Sequence, residues 1–302
     1  MDDFVQYLAE LRNKLSEVAE VSAEKDIAYG HQFTMLKDDE KVTLTAYNGK
    51  KGRKLVWGGS SGSLSAALQA AVNGGQVEAQ DSLQQKQFSG IWAGSDESGK
   101  GDFFGPLVVA AVAVDNTTAT KLSAAGVKDC KLLTDKKILE LEIAIKEIAL
   151  SYSVLELKPD IYNLRYEQVR KEGGNLNRLL GYGHIAALSK VLQEQPACSG
   201  ALIDQFTTSD AIIKALTAKF SAVEFRQQPR AESNIAVAAA SILARAQFLH
   251  RMDVLSEQAG FTLPKGGGTA ATEAAQQLAD QYGKDVLRGY VKLHFANYAK
   301  LK

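Results

Sequence analysis

Cysteine and long apolar runs are both scarce in this chain of 302 residues. Its two cysteines, Cys130 and Cys198, are far apart and form no C-x-x-C spacing, so the sequence predicts neither a disulfide framework nor a zinc cluster. No apolar run reaches the length of a membrane span, and the acidic N-terminus is unlike a signal peptide. We therefore expect a soluble protein of the reducing cytoplasm, without a membrane partner.

An excess of charge of one sign is also missing. The 35 basic and 35 acidic residues balance, and neither half of the chain is basic as a whole. The molecule therefore has no global field that would attract a polyanion, and any such binding must come from local groups of basic residues. With 45% hydrophobic residues the chain can bury a large core, and its length indicates two domains.

The segment Gly94–Gly105 (GSDESGKGDFFG) carries the most informative residues. Two adjacent carboxylates, Asp96 and Glu97, lie there between an apolar strand-like segment and a glycine-rich turn. Neighbouring side chains on a strand point to opposite faces, so one site can use both acids only if the strand ends or bends. Gly99 and Gly101 permit that bend, because glycine reaches backbone angles that are closed to other residues.

The same segment matches G-x-x-x-x-G-K, the opening of a phosphate-binding P-loop. Gly101 stands where the Ser or Thr that holds Mg²⁺ should be, and the apolar run 107–114 predicts a strand where a P-loop requires a helix. The two acids would also repel phosphate. A P-loop nucleotide-binding site is therefore disfavoured.

The remaining pattern predicts a small N-terminal α/β domain at 1–75, a linker rich in Gln, Gly and Ser at 76–90, and a larger α/β domain at 91–302. In the small domain we expect a helix over 4–18, a hairpin of strands at 41–47 and 54–57, and a helix over 63–72. In the large domain we expect two strands around the acidic pair, a helix capped by Thr134, strands at 151–157 and 200–204, and helices at 176–193 and 231–250.

Four acids are candidates for one site. Asp96, Glu97 and Asp204 each fall at the predicted end of an apolar strand, where α/β enzymes collect functional groups, and Glu232 opens a predicted helix. Carboxylates without a matching set of Cys or His favour a hard cation such as Mg²⁺ or Mn²⁺. Two such ions about 4 Å apart can activate water for cleavage of a phosphodiester. Spacing alone does not show that the acids converge, and turn, capping and helix-dipole roles stay open for each.

A basic cluster lies at the predicted hairpin tip, next to Tyr47 and Trp57. Its members are Lys50, Lys51, Arg53 and Lys54. Such a cluster can contact phosphates, but it can equally be a charged edge that prevents strand aggregation. We expect Cys130 to be an inert packed thiol, and His184 and His294 to be packing residues without a catalytic role.

Several ordered blocks of the sequence resemble ribonuclease HIII. They are Gly94–Pro106, residues 126–131, 175–177, 203–206, 231–233 with 238–242, and 292–295; residues 47–52 resemble that family's substrate-binding domain, which is similar to half of a TATA-box-binding protein. The resemblance implies an RNase H-like mixed sheet with helices on both faces. It also implies an endoribonuclease that cleaves the RNA strand of RNA–DNA hybrids with Mg²⁺ or Mn²⁺, leaving 5′-phosphate and 3′-hydroxyl ends. We expect it to be a monomer.

The resemblance also assigns roles to residues. By motif position the catalytic, metal-binding acids are Asp96, Glu97, Asp204 and Glu232, and the substrate contacts are Gly99, Lys100, Gly101 and Lys131, with Lys50, Lys51, Arg53 and Lys54 in the N-terminal domain. Asp253 is an alternative to Glu232, because the related ribonuclease HII family usually has Asp as its fourth acid. Cys130 stands where Ser is usual in that family, so a thiol, which is the weaker hydrogen-bond donor, replaces the hydroxyl beside Lys131.

Two other functions compete with this interpretation. Ribonuclease HII acts on single embedded ribonucleotides, but its usual Gly-Arg-Gly is Gly99-Lys-Gly101 here and its members normally lack the N-terminal domain. A non-catalytic nucleic-acid-binding module could be built on the basic hairpin alone. The intact acids favour a nuclease over that module.

Overall fold

The computed structural model describes residues 3–37, 40–49, 52–59, 63–72 and 88–302. The chain divides into two compact units, Met1–Gln87 and Phe88–Lys302. All but the last three residues of the linker predicted at 76–90 lie outside the described residues. The division into a substrate-binding and a catalytic domain therefore stays a prediction.

The first unit is a small α/β layer. Its described elements are α1 (Asp3–Ser16), β1 (Glu20–Ile27), β2 (Gly30–Lys37), β3 (Glu40–Gly49), β4 (Gly52–Gly59) and α2 (Ser63–Val72). These strands pair antiparallel in chain order. Leu15 of α1 and Leu68 of α2 are buried in one cluster with Phe33 and Leu44 of the sheet. The predicted helices and hairpin are confirmed, whereas β1 and β2 were missed.

The second unit is built around a mixed sheet. Its described elements, beside short 3-10 turns, are β5 (Ile91–Ser98), β6 (Leu107–Val114), α3 (Asn116–Ala124), α4 (Asp135–Ile148), β7 (Ser151–Leu157), α5 (Pro159–Lys171), α6 (Leu176–Glu194), β8 (Cys198–Asp204), α7 (Ala211–Lys219), β9 (Glu224–Gln228), α8 (Ile235–Ala259), α9 (Thr269–Tyr282) and α10 (Ala296–Ala299). The strand order is β7-β6-β5-β8-β9. β6 pairs antiparallel with β5 and β7, whereas β5, β8 and β9 run parallel.

Helices cover both faces of this sheet. Alternate residues of β6 are buried in two separate clusters, one shared with α8 and the other with α6, so the strand is apolar throughout. Two glycines allow α8 and α6 to approach the sheet closely. A Cβ at Gly94 would lie 2.3 Å from the Val237 nitrogen of α8, and one at Gly183 of α6 would lie 2.7 Å from Val109. The predicted mixed sheet with helices on both faces is confirmed.

Parallel pairing of β5 with β8 brings acids to one edge of the sheet. Ser95 pairs with Ile203, so Asp96 and Asp204 are the next residues on neighbouring strands. The carboxyl ends of parallel strands meet at the same edge, where α/β proteins bind their ligands. β6 follows the glycine turn as a strand, which is not the helix that a P-loop requires.

The helix predicted at 231–250 is wrong at both ends. Residues Ala231–Ser233 form a 3-10 turn, and α8 begins only after Asn234, whose side chain accepts a hydrogen bond of 3.0 Å from the Ala236 nitrogen. α8 then runs to Ala259 and ends at Gly260, with φ of 78°. Glu232 therefore lies on the turn before the helix and does not open it.

Several elements of the second unit were not predicted. α3, α5, α7 and β9 have short or weakly amphipathic sequences that contact the core on only a few residues each. In the part of the chain that the structure describes, no helix has the length and apolar character of a membrane span.

Candidate active site

A cavity of about 580 Å³ opens at the carboxyl ends of β5 and β8. Three of the four predicted acids line it, Asp96, Glu97 and Asp204. The other residues around it are Ser98, Gly99, Lys100, Gly101, Cys130, Lys131, Leu133, Asp135, Ile138, Ser241 and Arg245. The fourth acid, Glu232, contacts this cavity's Lys131 through an ion pair.

Asp96 is buried on the α8 side of the sheet. It is 7% exposed and accepts a hydrogen bond of 2.7 Å from the backbone nitrogen of Glu97. Burial, reinforced by the charge of Glu97, raises the pKa of Asp96 to about 8, although the Ser241 hydroxyl on α8 donates to it. The same hydroxyl lies 3.0 Å from the Cys130 sulfur.

Glu97 points towards α6, on the opposite side. Its Oε2 lies 3.2 Å from His184 Nε2, and its Oε1 lies 3.5 Å from Lys100 Nζ. Burial alone would raise the pKa of Glu97, but the contacts with His184 and Lys100 hold that pKa below its ordinary value. The two adjacent acids thus have pKa values that are shifted in opposite directions.

The strand ends at Ser98, one residue after the acids, and the glycine turn follows. Gly99 has φ of 87°, and a Cβ there would lie 2.1 Å from the Pro106 carbonyl oxygen, so only glycine fits. Gly101 differs, since it is exposed and a Cβ there would meet nothing within 4 Å. The fold of the described residues therefore requires Gly99 and leaves Gly101 unexplained.

Asp204 links the end of β8 to the turn that carries Glu232. Its Oδ1 accepts a hydrogen bond of 3.0 Å from the Ala231 nitrogen. Burial raises the pKa of Asp204, and the charges of Glu232 and Glu97 raise it further. Burial would also raise the pKa of Glu232, but the Lys131 ammonium, 2.5 Å from its Oε1, holds it below its ordinary value.

Asp253, the alternative fourth acid, is far from this turn along the chain. It is exposed on α8, eighteen residues beyond the helix start at Ile235, which is about 27 Å along the helix axis. It does not line the cavity. Glu232, in contrast, is close enough for its charge to act on Asp204.

The donor chemistry of the cavity suits a hard divalent cation. Three carboxylates from two strand ends face it, and oxygen ligands are those that Mg²⁺ and Mn²⁺ prefer. A bound cation would also offset the burial and mutual repulsion that raise the pKa of Asp96. Among the described residues, however, no three His, Cys, Asp or Glu side chains are already grouped closely enough to hold an ion. Metal binding would require the carboxylates to move closer together.

Sequence reasoning missed several residues of the site. His184 was expected to be a packing residue, yet it contacts Glu97 from 87 positions away in the sequence. Arg245 and Asp135 both line the cavity, with Nη2 and Oδ1 3.3 Å apart. These contacts join helices to strand ends through the tertiary fold, and no local pattern indicates them.

The predicted basic residues have different surroundings. Lys100 and Lys131 line the cavity. Arg53 forms an ion pair with Asp3 and lies 4.6 Å over the Tyr7 ring, and Lys54 is exposed. Lys50 and Lys51 lie outside the described residues. A substrate contact and a charged strand edge both remain compatible with the hairpin.

Comparison with known proteins identifies the family. A family model described as ribonuclease HII matches residues 93–298. Ribonuclease HIII of Protochlamydia amoebophila is 40% identical over 202 residues, which are 67% of this chain and 65% of that protein. Ribonuclease HIII of Bacillus cereus strain 03BB102 is 36% identical, with 85% of each chain covered. The chain belongs to the ribonuclease HIII family.

A solved structure supports the family assignment over the length of the chain. The crystal structure of Bst-RNase HIII in complex with Mn²⁺ has a TM-score of 0.63 and 31% identity, and the match covers 98% of this chain and 94% of that one. The resemblance to ribonuclease HIII and the expected RNase H-like fold with a preceding small α/β unit are thereby confirmed. The match to the Protochlamydia protein spans slightly less than two thirds of that relative's length.

Proposed function

We propose that this member of the ribonuclease HIII family is an endoribonuclease that hydrolyses the RNA strand of RNA–DNA hybrids, using Mg²⁺ or Mn²⁺ and leaving 5′-phosphate and 3′-hydroxyl ends. The convergence of Asp96, Glu97 and Asp204 on one cavity, next to the exposed turn at Gly101, carries this proposal. Two free cysteines are consistent with action in the reducing cytoplasm, and we expect the active form to be a monomer.

The acids would hold the metal. Asp96, Glu97 and Asp204 line the cavity, and Glu232 lies on the 3-10 turn whose Ala231 nitrogen donates to Asp204. Divalent ions bound there would supply an activated water and stabilise the leaving oxygen of a phosphodiester. The Lys131 side chain is 72% exposed, so its ammonium can turn from Glu232 to a substrate phosphate.

The turn after the acids would recognise the sugar. The backbone conformation at position 101 does not require glycine, and a Cβ there would meet no neighbouring atom. We infer that the absence of a side chain at Gly101 keeps the backbone accessible from the solvent side. Backbone N–H groups there can bond the 2′-hydroxyl, which distinguishes RNA from DNA. Contacts to sugar and phosphate carry no base information, so cleavage should be independent of sequence.

The test of this function compares two substrates under one metal and salt condition. A continuous RNA–DNA hybrid should be cut within runs of ribonucleotides, and a duplex with one embedded ribonucleotide should be cut poorly, because successive 2′-hydroxyls exist only in continuous RNA. Chelation of the metal should stop cleavage. Equal or faster cutting of the single-ribonucleotide duplex would favour ribonuclease HII specificity. No cutting of either substrate would favour the binding module.

The fourth ligand is tested by a pair of matched variants. Glu232→Gln should lower hybrid cleavage and leave residual activity, because the charge beside Asp204 is lost but three acids remain. Asp253→Asn should cleave at nearly the wild-type rate, because Asp253 is exposed and does not line the cavity. The reverse pattern in a steady-state assay would move the fourth ligand to Asp253.

The N-terminal unit, proposed to bind substrate as a domain like half of a TATA-box-binding protein, should contribute affinity and not chemistry. Replacing Lys50, Lys51, Arg53 and Lys54 together by Ala should raise KM for the hybrid and leave kcat nearly unchanged. The slope of log affinity against log salt should shrink by up to about 0.9 for each phosphate contact that is lost. An unchanged slope in binding titrations at several salt concentrations would make the cluster a charged hairpin edge.

A further inference from the structure

His184 is fully buried between the ends of the two strands that carry acids. It lies on α6, 0% exposed, with Nδ1 2.9 Å from the Ser95 hydroxyl and Nε2 3.2 Å from Glu97 Oε2. Its ring stacks on Phe206, two residues beyond Asp204, at 4.9 Å between centroids and 17° between planes. One imidazole therefore contacts both β5 and the segment that follows β8.

The chemistry of its partners determines which nitrogen of the His184 ring donates and which accepts. A carboxylate only accepts, so the His184 nitrogen that faces Glu97 is the donor. A neutral ring then accepts at Nδ1 from the Ser95 hydroxyl, and the chain runs from Ser95 through His184 to Glu97 with each polar atom satisfied. The packing of α6 against β6 at Gly183 is what brings the ring this close to the sheet.

Glu97 is consequently held at both oxygens. His184 fixes Oε2 from inside the protein, and Lys100 lies near Oε1 from the exposed turn. These two contacts restrict the orientations that the Glu97 carboxylate can take when the acids move together around a cation. Mg²⁺ demands near-ideal geometry of its ligands, and groups that orient a ligand typically change metal affinity 10- to 100-fold.

We propose that His184, supported by the Ser95 hydroxyl and by stacking on Phe206, is a positioning residue that orients the Glu97 carboxylate for the divalent metal. The inference rests on the proposed metal-dependent cleavage. It assigns His184 no contact with substrate. Its removal should therefore weaken metal binding and leave the affinity for the hybrid unchanged.

The test separates the ring's shape from its hydrogen bonds. His184→Phe keeps a flat ring against Phe206 and removes both bonds, whereas His184→Gln keeps a donor that reaches Glu97. Calorimetric titration with Mn²⁺ alone should show binding that is about 10- to 100-fold weaker in His184→Phe, with part of the affinity restored in His184→Gln. In cleavage assays the metal concentration for half-maximal rate should rise accordingly, while KM for the hybrid at saturating metal stays within about twofold.

A second His–Glu pair, between α8 and α4, provides a matched control. His250 of α8 lies 2.7 Å from Glu142 through its Nε2, which is the same type of pair, and neither residue lines the cavity. His250→Phe should leave Mn²⁺ binding and the metal dependence of cleavage unchanged.

Ser95→Ala keeps the inference testable if His184→Phe does not fold. Losing the hydroxyl that fixes the ring should weaken Mn²⁺ binding in the same direction, by a smaller factor. Wild-type Mn²⁺ affinity in a folded His184→Phe, or in Ser95→Ala, would overturn the positioning role. Failure of the wild-type protein itself to bind Mn²⁺ or to cut hybrid would instead refute the proposed function.

Discussion

Asp96→Asn should lower the rate of hybrid cleavage by about 10³-fold or more, even in saturating Mg²⁺. The substitution keeps the shape of the side chain and removes the negative charge that the most buried cavity-lining acid would present to a bound metal. A bound metal supplies several kcal/mol of transition-state stabilisation, and about 1.4 kcal/mol corresponds to each tenfold loss of rate. Single-turnover assays with enzyme in excess measure this directly.

The control for that loss is an acid of the same type on the surface. Asp280→Asn on α9 changes an exposed carboxylate whose partner is Gln276, and it should cleave at the wild-type rate. Hybrid affinity of Asp96→Asn, measured without turnover, should also stay within a few-fold of wild type. Near wild-type cleavage by Asp96→Asn would remove this residue from the proposed catalytic acids.

The same substitution should stabilise the protein when metal is chelated, with a definite pH dependence. The pKa of Asp96 is raised from an ordinary 3.8 to about 8, so between these values the folded state binds the proton that the unfolded state has lost. Stability from the protonated carboxyl is therefore present at low pH and is lost as pH rises towards 8. The Asn side chain stays neutral at every pH. In EDTA, the melting temperature of Asp96→Asn should therefore exceed that of the wild type, and the difference should grow from pH 5 to pH 8. Each pH unit between the two pKa values corresponds to about 1.4 kcal/mol of stability, which is roughly 3–6 °C in the difference between the two melting temperatures.

Local signals in the sequence determined much of the fold. Thr134 caps α4 as expected, because its hydroxyl and the apolar spacing behind it are both sequence-local. The helix at 63–72 and the strand at 151–157 were predicted at their observed bounds for the same reason. β1 was missed because six of its eight residues are exposed, so no alternating apolar face marks it.

In the candidate site, too, residues marked by local sequence patterns were predicted, and residues placed by the tertiary fold were not. Asp96, Glu97 and Asp204 were found because each follows an apolar strand, and parallel pairing then brings them together. The start of α8 was misplaced because the Asn234 cap outweighs the helical pattern before it. His184 and Ser241 reach the acids from helices whose placement is a property of the whole fold, so no spacing in the sequence reveals them.

Loss of Lys292, which does not line the cavity, should strongly destabilise the second unit of the chain. It is 0% exposed, and its ammonium donates to the carbonyl oxygens of Asp102 at 2.9 Å, Gly105 at 2.8 Å and Phe104 at 3.4 Å. Three acceptors match the three donors of an ammonium group. This one side chain thus fixes the segment that directly follows Gly99–Gly101, the turn proposed to contact the substrate.

Two effects oppose each other when Lys292 is replaced. Burial lowers the pKa of its amine to about 7, so removing the amine relieves a desolvation cost. Removal also leaves the carbonyls of Asp102, Phe104 and Gly105 without this donor, at about 1–3 kcal/mol for each that is buried. The shortened side chain of Lys292→Ala adds a cavity. The carbonyls and the cavity together outweigh the relief. We expect Lys292→Ala to lose about 4 kcal/mol, which lowers the melting temperature by roughly 8–16 °C.

Lys292→Met separates the two contributions, because it keeps most of the volume and loses only the donors. It should lie about midway between wild type and Lys292→Ala in melting temperature, and its KM for the hybrid should rise because the turn is less firmly held. Lys284→Ala is the matched control, since its ammonium donates to a single carbonyl, that of Leu301, at 3.0 Å and the residue is exposed. That variant should melt within about 2 °C of wild type. A Lys292→Met protein with wild-type stability and KM would show that the three hydrogen bonds neither hold this turn nor stabilise the unit.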